Sequence, residues 1–186
     1  MGEIIGFCNQ KGGTGKTTTA INLAAFLGNI GKRVLLIDMD PQANATSGIG
    51  IEYRKQEKTI YEALTENIDI NTCIIKTAFP NLLLIPSSIN LTGAEIELIS
   101  DVNREFRLKK AIENIGSEFD YIIIDAPPSL GILTVNVLVA VHAVIIPIQC
   151  EYFALEGLSS IVNIIELIRN RLNNDIDRFE LNIKFF

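Results

Sequence analysis

Ten residues near the N-terminus, Asn9-Gln-Lys-Gly-Gly-Thr-Gly-Lys-Thr-Thr18, constrain the fold more than any other part of the chain. They follow a short apolar run, Glu3-Ile-Ile-Gly-Phe-Cys8, and open a helical pattern at Lys16. In that pattern Ile21, Leu23, Ala24, Ala25 and Leu27 lie on one broad apolar stripe, which Gly28 and Gly31 end. Arg33-Val-Leu-Leu-Ile-Asp38 then reads as a second buried strand. Strand, glycine loop, helix and strand within about forty residues make a βαβ unit, which dictates a parallel sheet with a right-handed crossover.

The same ten residues carry chemistry. A loop that holds phosphate needs small residues so that the backbone can come close. It also needs successive N–H groups aimed at one point, and a helix N-terminus behind them to supply the positive dipole end. Gly12, Gly13 and Gly15 meet the first two needs, and the helix from Lys16 meets the third. Lys16 would set its ammonium against β- and γ-phosphate oxygens, and the Thr17 hydroxyl would face Mg²⁺. The predicted nucleotide contacts are Lys11, Gly12, Gly13, Thr14, Gly15, Lys16, Thr17 and Thr18. The bland alternative, a glycine turn with no ligand, does not explain Gly-Lys-Thr-Thr between a strand and a helix.

Two acidic sites follow further strands. Asp38-Met-Asp40-Pro-Gln-Ala-Asn-Ala-Thr46 comes directly after the second strand, and Asp125 closes Tyr121-Ile-Ile-Ile-Asp125. Ligands of a parallel α/β sheet bind beyond the carboxyl ends of its strands, so all three carboxylates belong on the edge that carries the glycine loop. Asp125 is the candidate to hold Mg²⁺ through water. Asp40 is the candidate to orient an attacking water, and Asp38 to fix the loop or the metal shell. A lone Asp at a strand end is commonly a turn or helix cap; three in phase with a phosphate loop point to a site.

Between these motifs, residues 39–58 are polar and show no clear period. Short strands are expected near 73–77, 82–86, 143–148 and from 181 onward. Helices are expected near 60–64, 91–99, 104–116, 131–141 and 155–172. The fold class is therefore α/β, P-loop NTPase-like: a mostly parallel twisted sheet with helices on both faces, in three layers, as one domain over 1–186. Apolar residues make up 48% of the chain and charged residues 20%, which supports a packed core rather than a disordered chain. Leu130 to Ile148 is apolar enough to need a membrane check, but Asn136, His142 and Pro147 divide it into a helix and a strand. The net charge of −6 argues against DNA binding over the whole surface, which needs clustered Lys and Arg. Cys8, Cys73 and Cys150 lack CxxC spacing and read as reduced thiols, the pattern of a cytoplasmic protein.

The loop departs from G-x-x-x-x-G-K-[ST] in having Gln10 where a glycine is usual and Lys11 beside it. This is the K-G-G-x-G-K-[ST] variant of the deviant Walker A ATPases. Asp38-x-Asp-Pro-Gln-x-Asn-Ala-Thr46, Ile123-Ile-Asp-Ala-Pro-Pro-Ser-Leu-Gly131 and Gln149-Cys-Glu-Tyr-Phe-Ala-Leu-Glu-Gly-Leu158 narrow the likeness. With these motifs the chain resembles the ParA/Soj chromosome and plasmid partition family, from Ile4 to about Asn182. The resemblance implies ATP and Mg²⁺ as ligands, a sandwich homodimer formed on ATP binding, and Lys11 reaching the partner's nucleotide. It also implies a ParB-like protein that stimulates slow hydrolysis, non-specific DNA binding by the dimer, and a cytoplasmic, nucleoid-associated location without membrane attachment. Family members usually continue past Leu-Asn-Ile-Lys184 with a further strand, helices, part of the adenine pocket and much of the basic surface. The last strands and helices of the family fold are therefore expected to be missing, and DNA binding by this chain is in doubt. The rival readings are a nucleotide-binding module or degenerate remnant with little turnover, and a MinD-like cell-division-site regulator.

Other features read as structural. Asn103 to Lys110 is a basic run suited to a solvated helix face. Arg169, Arg171 and Arg178 suit a helix end or the edge of a basic patch. His142 has no nucleophile arrangement around it.

Overall fold

The computed structural model describes residues 2–149, 154–176 and 178–184. Short apolar runs become strands: β1 (Glu3–Phe7), β2 (Val34–Asp38), β3 (Ile75–Lys76), β4 (Leu82–Ile85), β5 (Tyr121–Asp125), β6 (Ala143–Gln149) and β7 (Arg178–Lys184). They form one seven-stranded sheet in the order β3-β4-β2-β5-β1-β6-β7. Every pairing is parallel except that of β3, the two-residue edge strand, which runs antiparallel to β4.

Helices cover both faces: α1 (Lys16–Asn29), α2 (Asn44–Gly48), α3 (Ile60–Thr65), α4 (Leu91–Glu97), α5 (Arg107–Ile112), α6 (Ile132–Ala140) and α7 (Ala154–Arg171). The side-chain alternation of a strand divides the core in two. Val34, Leu36, Phe7 and Ile123 pack with Ala20, Ala24, Ala45 and Ile49 of the α1–α2 side. Leu35, Ile37, Ile122 and Ile124 face the opposite way, into the larger cluster with α3 to α7. This gives the three layers expected from the sequence.

Register then sets the site. Phe7 and Asp38 are both partners of Asp125, so β1, β5 and β2 end level. The glycine loop, Asp125 and the Asp38–Asp40 loop leave the sheet side by side at its carboxyl edge. The strand order also reverses at β1: one side continues through β5, β2 and β4, the other through β6 and β7. A switch point of this kind is where open α/β sheets bind ligands.

Three local expectations are revised. Residues 44–48 form the short helix α2, whose single turn is too brief to show a period. The strand expected at 73–77 is shortened to Ile75–Lys76, because Ile70–Cys73 winds into a 3-10 turn whose N-terminal Asn71 N–H is capped by the Asp69 carboxylate. The helix expected over 104–116 stops at Ile112 and is divided into a 3-10 turn, Arg104–Phe106, and α5. The cause of the division is the buried Asn136 of α6. Its Nδ2 donates to the Arg104 carbonyl at 2.8 Å and its Oδ1 accepts from Leu108 N–H at 3.0 Å. Those two groups would be the ends of one α-helical hydrogen bond, so the amide inserts where that bond would close.

The helix and strand expected from Leu130 to Ile148 are α6 and β6, and among the described residues no helix is long and apolar enough to cross a membrane. Cys8 and Cys73 are buried free thiols; Cys150, Glu151, Tyr152 and Phe153 lie outside the described residues, as do Phe185 and Phe186. His142 joins strand ends, its Nδ1 accepting from Ile4 N–H at 3.2 Å and its backbone N–H donating to Ile4 O at 2.9 Å. The basic run is largely spent on neighbours: Arg104 pairs with Glu105, Arg107 with Asp101 and Lys109 with Asp175.

Candidate functional site

The chain leaves β1 and must turn sharply into α1, which Gly13 (φ 76°) and Gly15 (φ 81°) permit in the left-handed region. A Cβ at Gly12 or Gly13 would meet nothing within 4 Å, so the backbone there faces open space. Gly15 is the residue before α1, no side chain caps that helix, and its first turn holds no acidic residue. Its orphan N–H groups and dipole end are thus left to an external acceptor.

Two long-range contacts brace the loop. Asn9 Nδ2 donates to Pro147 O at 2.6 Å, while Asn9 Oδ1 accepts from Lys11 N–H at 3.0 Å. Gln149 Nε2 donates to Gly13 O at 3.0 Å. Sequence reading missed both residues as loop braces, since their partners on β6 and in the loop are more than a hundred positions away.

The loop and its surroundings enclose a cleft of about 470 Å³, lined by Lys11 to Thr18, Ile21, Asp40, Asn44, Gly48 and Pro128. All eight predicted nucleotide contacts therefore face one cavity. A larger hollow of about 740 Å³ lies away from it, between Asn67–Ile70 and Asp101–Asn114. There Arg107 is already committed to Asp101 and Asn67, so chemistry, not size, locates the site.

Lys16 is only 6% exposed. Its Nζ lies 3.1 Å from Asp125 Oδ1 and also donates to Ala126 O. Asp125 is fully buried, and its Oδ2 has no hydrogen-bond partner among the described residues. The Thr17 hydroxyl faces the same carboxylate. Burial pushes the Asp125 carboxyl above the usual carboxylate range, against the pull of the Lys16 ammonium. A buried oxygen with no donor beside a hydroxyl suits a hard, oxygen-seeking cation. Among such cations Mg²⁺ fits best, because it takes one or two protein ligands and completes its shell with water and phosphate. Among the described residues no three His, Cys, Asp or Glu groups form a metal cage.

Asp38 and Asp40 divide the remaining work. Asp38 Oδ2 accepts from both N–H and Oγ1–H of Thr46 at 2.7 Å, and its Oδ1 accepts from Asp40 N–H at 3.1 Å. Burial, and then the neighbouring Asp125, push its carboxyl up to about 7. Of the two roles that the sequence left open for Asp38, this geometry supports loop fixing and gives no support to the metal shell. Asp40 reaches the cleft wall, with Oδ1 held by Gln42 N–H at 2.9 Å. Lys11 is exposed at the cleft mouth.

Known proteins resemble the chain over nearly its whole length. The family model of the AAA domain matches residues 2–178. The chain is 54% identical over 176 residues to the sporulation initiation inhibitor protein Soj of Bacillus subtilis, covering 95% of this chain and 70% of that protein. It is 53% identical to the chromosome partitioning protein ParA of Myxococcus xanthus, covering 95% of this chain but 62% of that longer protein. Among solved structures, a plasmid partition protein from Borrelia burgdorferi superposes with a TM-score of 0.85 at 36% identity, over 98% of this chain and 78% of that one. Cobyrinic acid a,c-diamide synthase from Mycobacterium smegmatis, solved with ADP and magnesium, gives 0.90 at 37% identity, over 98% and 72%. With a glycine cradle, a two-lysine loop and an aspartate at the adjoining strand end, the chain belongs to the ParA/Soj family of partition ATPases.

Proposed function

We propose that this chain binds Mg-ATP in the 470 Å³ cleft and hydrolyses it as part of a chromosome or plasmid partition cycle. The observation that carries the reading is the pairing of an uncapped, acid-free helix N-terminus with a buried Lys16–Asp125 pair beneath it. The backbone N–H groups of Gly12 to Thr18 would cradle the β- and γ-phosphates, while Lys16 turns from Asp125 toward their oxygens. Bound magnesium, held by the Thr17 hydroxyl and through water by Asp125, would neutralise phosphate charge. Asp40 would align a water in line with the γ-phosphorus, so that the bond to the β–γ bridging oxygen breaks as the new one forms.

Lys11 would act across a homodimer, on the nucleotide of the second copy. A charge supplied in trans is worth on the order of 10³ to 10⁵ in rate. Hydrolysis would then release the dimer by removing the phosphate that bridges its halves. In this reading the protein works in the cytoplasm, off the membrane, with a ParB-like partner that stimulates turnover. Any DNA contact must come from a local patch of the dimer, because the chain as a whole carries a net charge of −6.

Phosphate release from Mg-ATP tests the reading. The wild-type chain should turn over, Lys16→Ala should lose nucleotide binding, and Asp40→Ala should bind ATP without hydrolysing it. Lys11→Ala should bind with a slowed rate that addition of wild-type subunits partly restores. Equal loss of ATP binding in Lys16→Ala and Asp40→Ala would remove the assigned roles. Binding without phosphate release by the wild type would make the chain a nucleotide-binding module instead.

A further inference from the structure

The Asp40 loop is tied to the rest of the sheet by a buried hydrogen-bond ring. Thr46 on α2 donates through Oγ1 to Asp38 Oδ2 at 2.7 Å, and the same Oγ1 accepts from Ser87 N–H at 3.1 Å. The Ser87 hydroxyl in turn donates to the backbone carbonyl of Asp40 at 2.6 Å, and Asp40 N–H closes the ring on Asp38 Oδ1 at 3.1 Å. Asp38, Thr46 and Ser87 are fully buried and Asp40 is 4% exposed. Ser87 follows β4, the neighbour of β2, so the ring joins two adjacent strand ends above the sheet.

We infer that Ser87 is a positioning residue for hydrolysis, holding the Asp40 main chain so that its carboxylate keeps its place at the cleft. This rests on the reading of Asp40 as the group that aligns water. Ser87 makes two bonds of different kinds. Its N–H to Thr46 is main chain and survives any substitution other than proline. Its Oγ to Asp40 is a side-chain bond, and among the described residues it is the one that Ser87 makes directly to the Asp40 main chain. The Asp40 carbonyl also accepts from Ala43 N–H at 2.9 Å. Ser87→Ala would therefore leave no orphaned acceptor. The local turn and the Ser87 N–H bond to Thr46 would persist, while the Asp40 main chain lost its direct bond to the end of β4. A catalytic group shifted by about 1 Å loses up to about a hundredfold in rate with little effect on binding made elsewhere. ATP affinity comes from the loop around Lys16, which Ser87 does not touch.

Single-turnover phosphate release and binding of a fluorescent ATP analogue with magnesium test this on wild type, Ser87→Ala, Asp40→Ala and the double variant. Ser87→Ala should bind within about twofold of wild type and release phosphate some ten- to a hundredfold more slowly. The double variant should be no slower than Asp40→Ala. An unchanged rate in Ser87→Ala, a further loss in the double variant, or an equal loss of nucleotide affinity would overturn the inference. If Asp40→Ala has no measurable rate, amide hydrogen exchange serves as the second readout. Gln42 and Ala43 should then exchange faster in Ser87→Ala while β2 stays protected, and unchanged exchange would overturn the tether. A wild type that binds the analogue but releases no phosphate would sink the hydrolase reading itself. A full rate in Asp40→Ala would sink the role of Asp40. Either outcome is distinct from failure of Ser87 alone.

Discussion

Besides the phosphate role proposed for it, Lys16 is the counter-ion of a buried carboxylate. The perturbation is Lys16→Met, which keeps the apolar stem and removes the ammonium. In the structure that ammonium is held by Asp125 Oδ1 and Ala126 O, with Lys16 6% exposed and Asp125 0%. Removing one member of a buried pair leaves an uncompensated charge, at a cost of about 3–5 kcal/mol. With a urea m-value of about 2.5 kcal/mol/M, the unfolding midpoint should fall by roughly 1–2 M at pH 8. The Asp125 carboxyl is already raised by burial, and the Lys16 ammonium is the strongest influence lowering it. Its removal raises that carboxyl further. The folded state then holds a proton that the unfolded state releases above pH about 4. Stability falls as pH rises in that case, so the deficit of the variant should narrow between pH 8 and pH 5. Adding Asp125→Asn removes the stranded charge and should recover most of the loss. Equilibrium urea unfolding followed by circular dichroism, without nucleotide, reads all of this. A single variant as stable as wild type at pH 8, or a double variant no more stable than the single, would refute Lys16 as a structural counter-ion.

Two further outcomes are expected. Gly28→Ala should cost about 1–3 kcal/mol by overpacking, because its Cβ would lie 2.3 Å from the Pro80 carbonyl oxygen, a backbone atom that cannot swing away. Thermal melting should show that loss while phosphate release per folded molecule is unchanged, since Gly28 lies about 18 Å along α1 from Lys16. The Asp38 carboxyl, pushed up to about 7, makes the nucleotide-free fold bind a proton that the unfolded chain has lost. Its stabilising contribution is present in full below the ordinary carboxylate range and is lost as pH rises through 7, so the urea midpoint should be lower at pH 8 than at pH 5.5. Carboxyl carbon NMR should show one aspartate titrating near 7, and a midpoint that rises over this range would contradict the assignment.

The glycine loop between β1 and α1 was legible in the sequence because its parts are contiguous. Strand, glycines, lysine and helix follow one another, and each is recognisable from local chemistry alone. The strands too could be placed, since a strand buried on both faces reads as an unbroken apolar run, as Val34 to Ile37 does. Element ends were less visible. Nothing near residue 104 announces that an asparagine from α6 will take both ends of a hydrogen bond in the next helix. A single-turn helix such as α2 offers no period to find.

What the sequence determined by itself was the fold class, the glycine loop and three acidic residues at strand ends. Only the tertiary structure decided what surrounds each of those acids. Asp38 and Asp125 look alike as strand-terminal aspartates, yet the first is filled by Thr46 and Asp40 and the second keeps an oxygen without a donor. That difference depends on groups brought together from other strands and helices. Asn9, Gln149 and Ser87 enter the site the same way, because a hydrogen bond depends on distance and angle in space and leaves no mark on residue spacing.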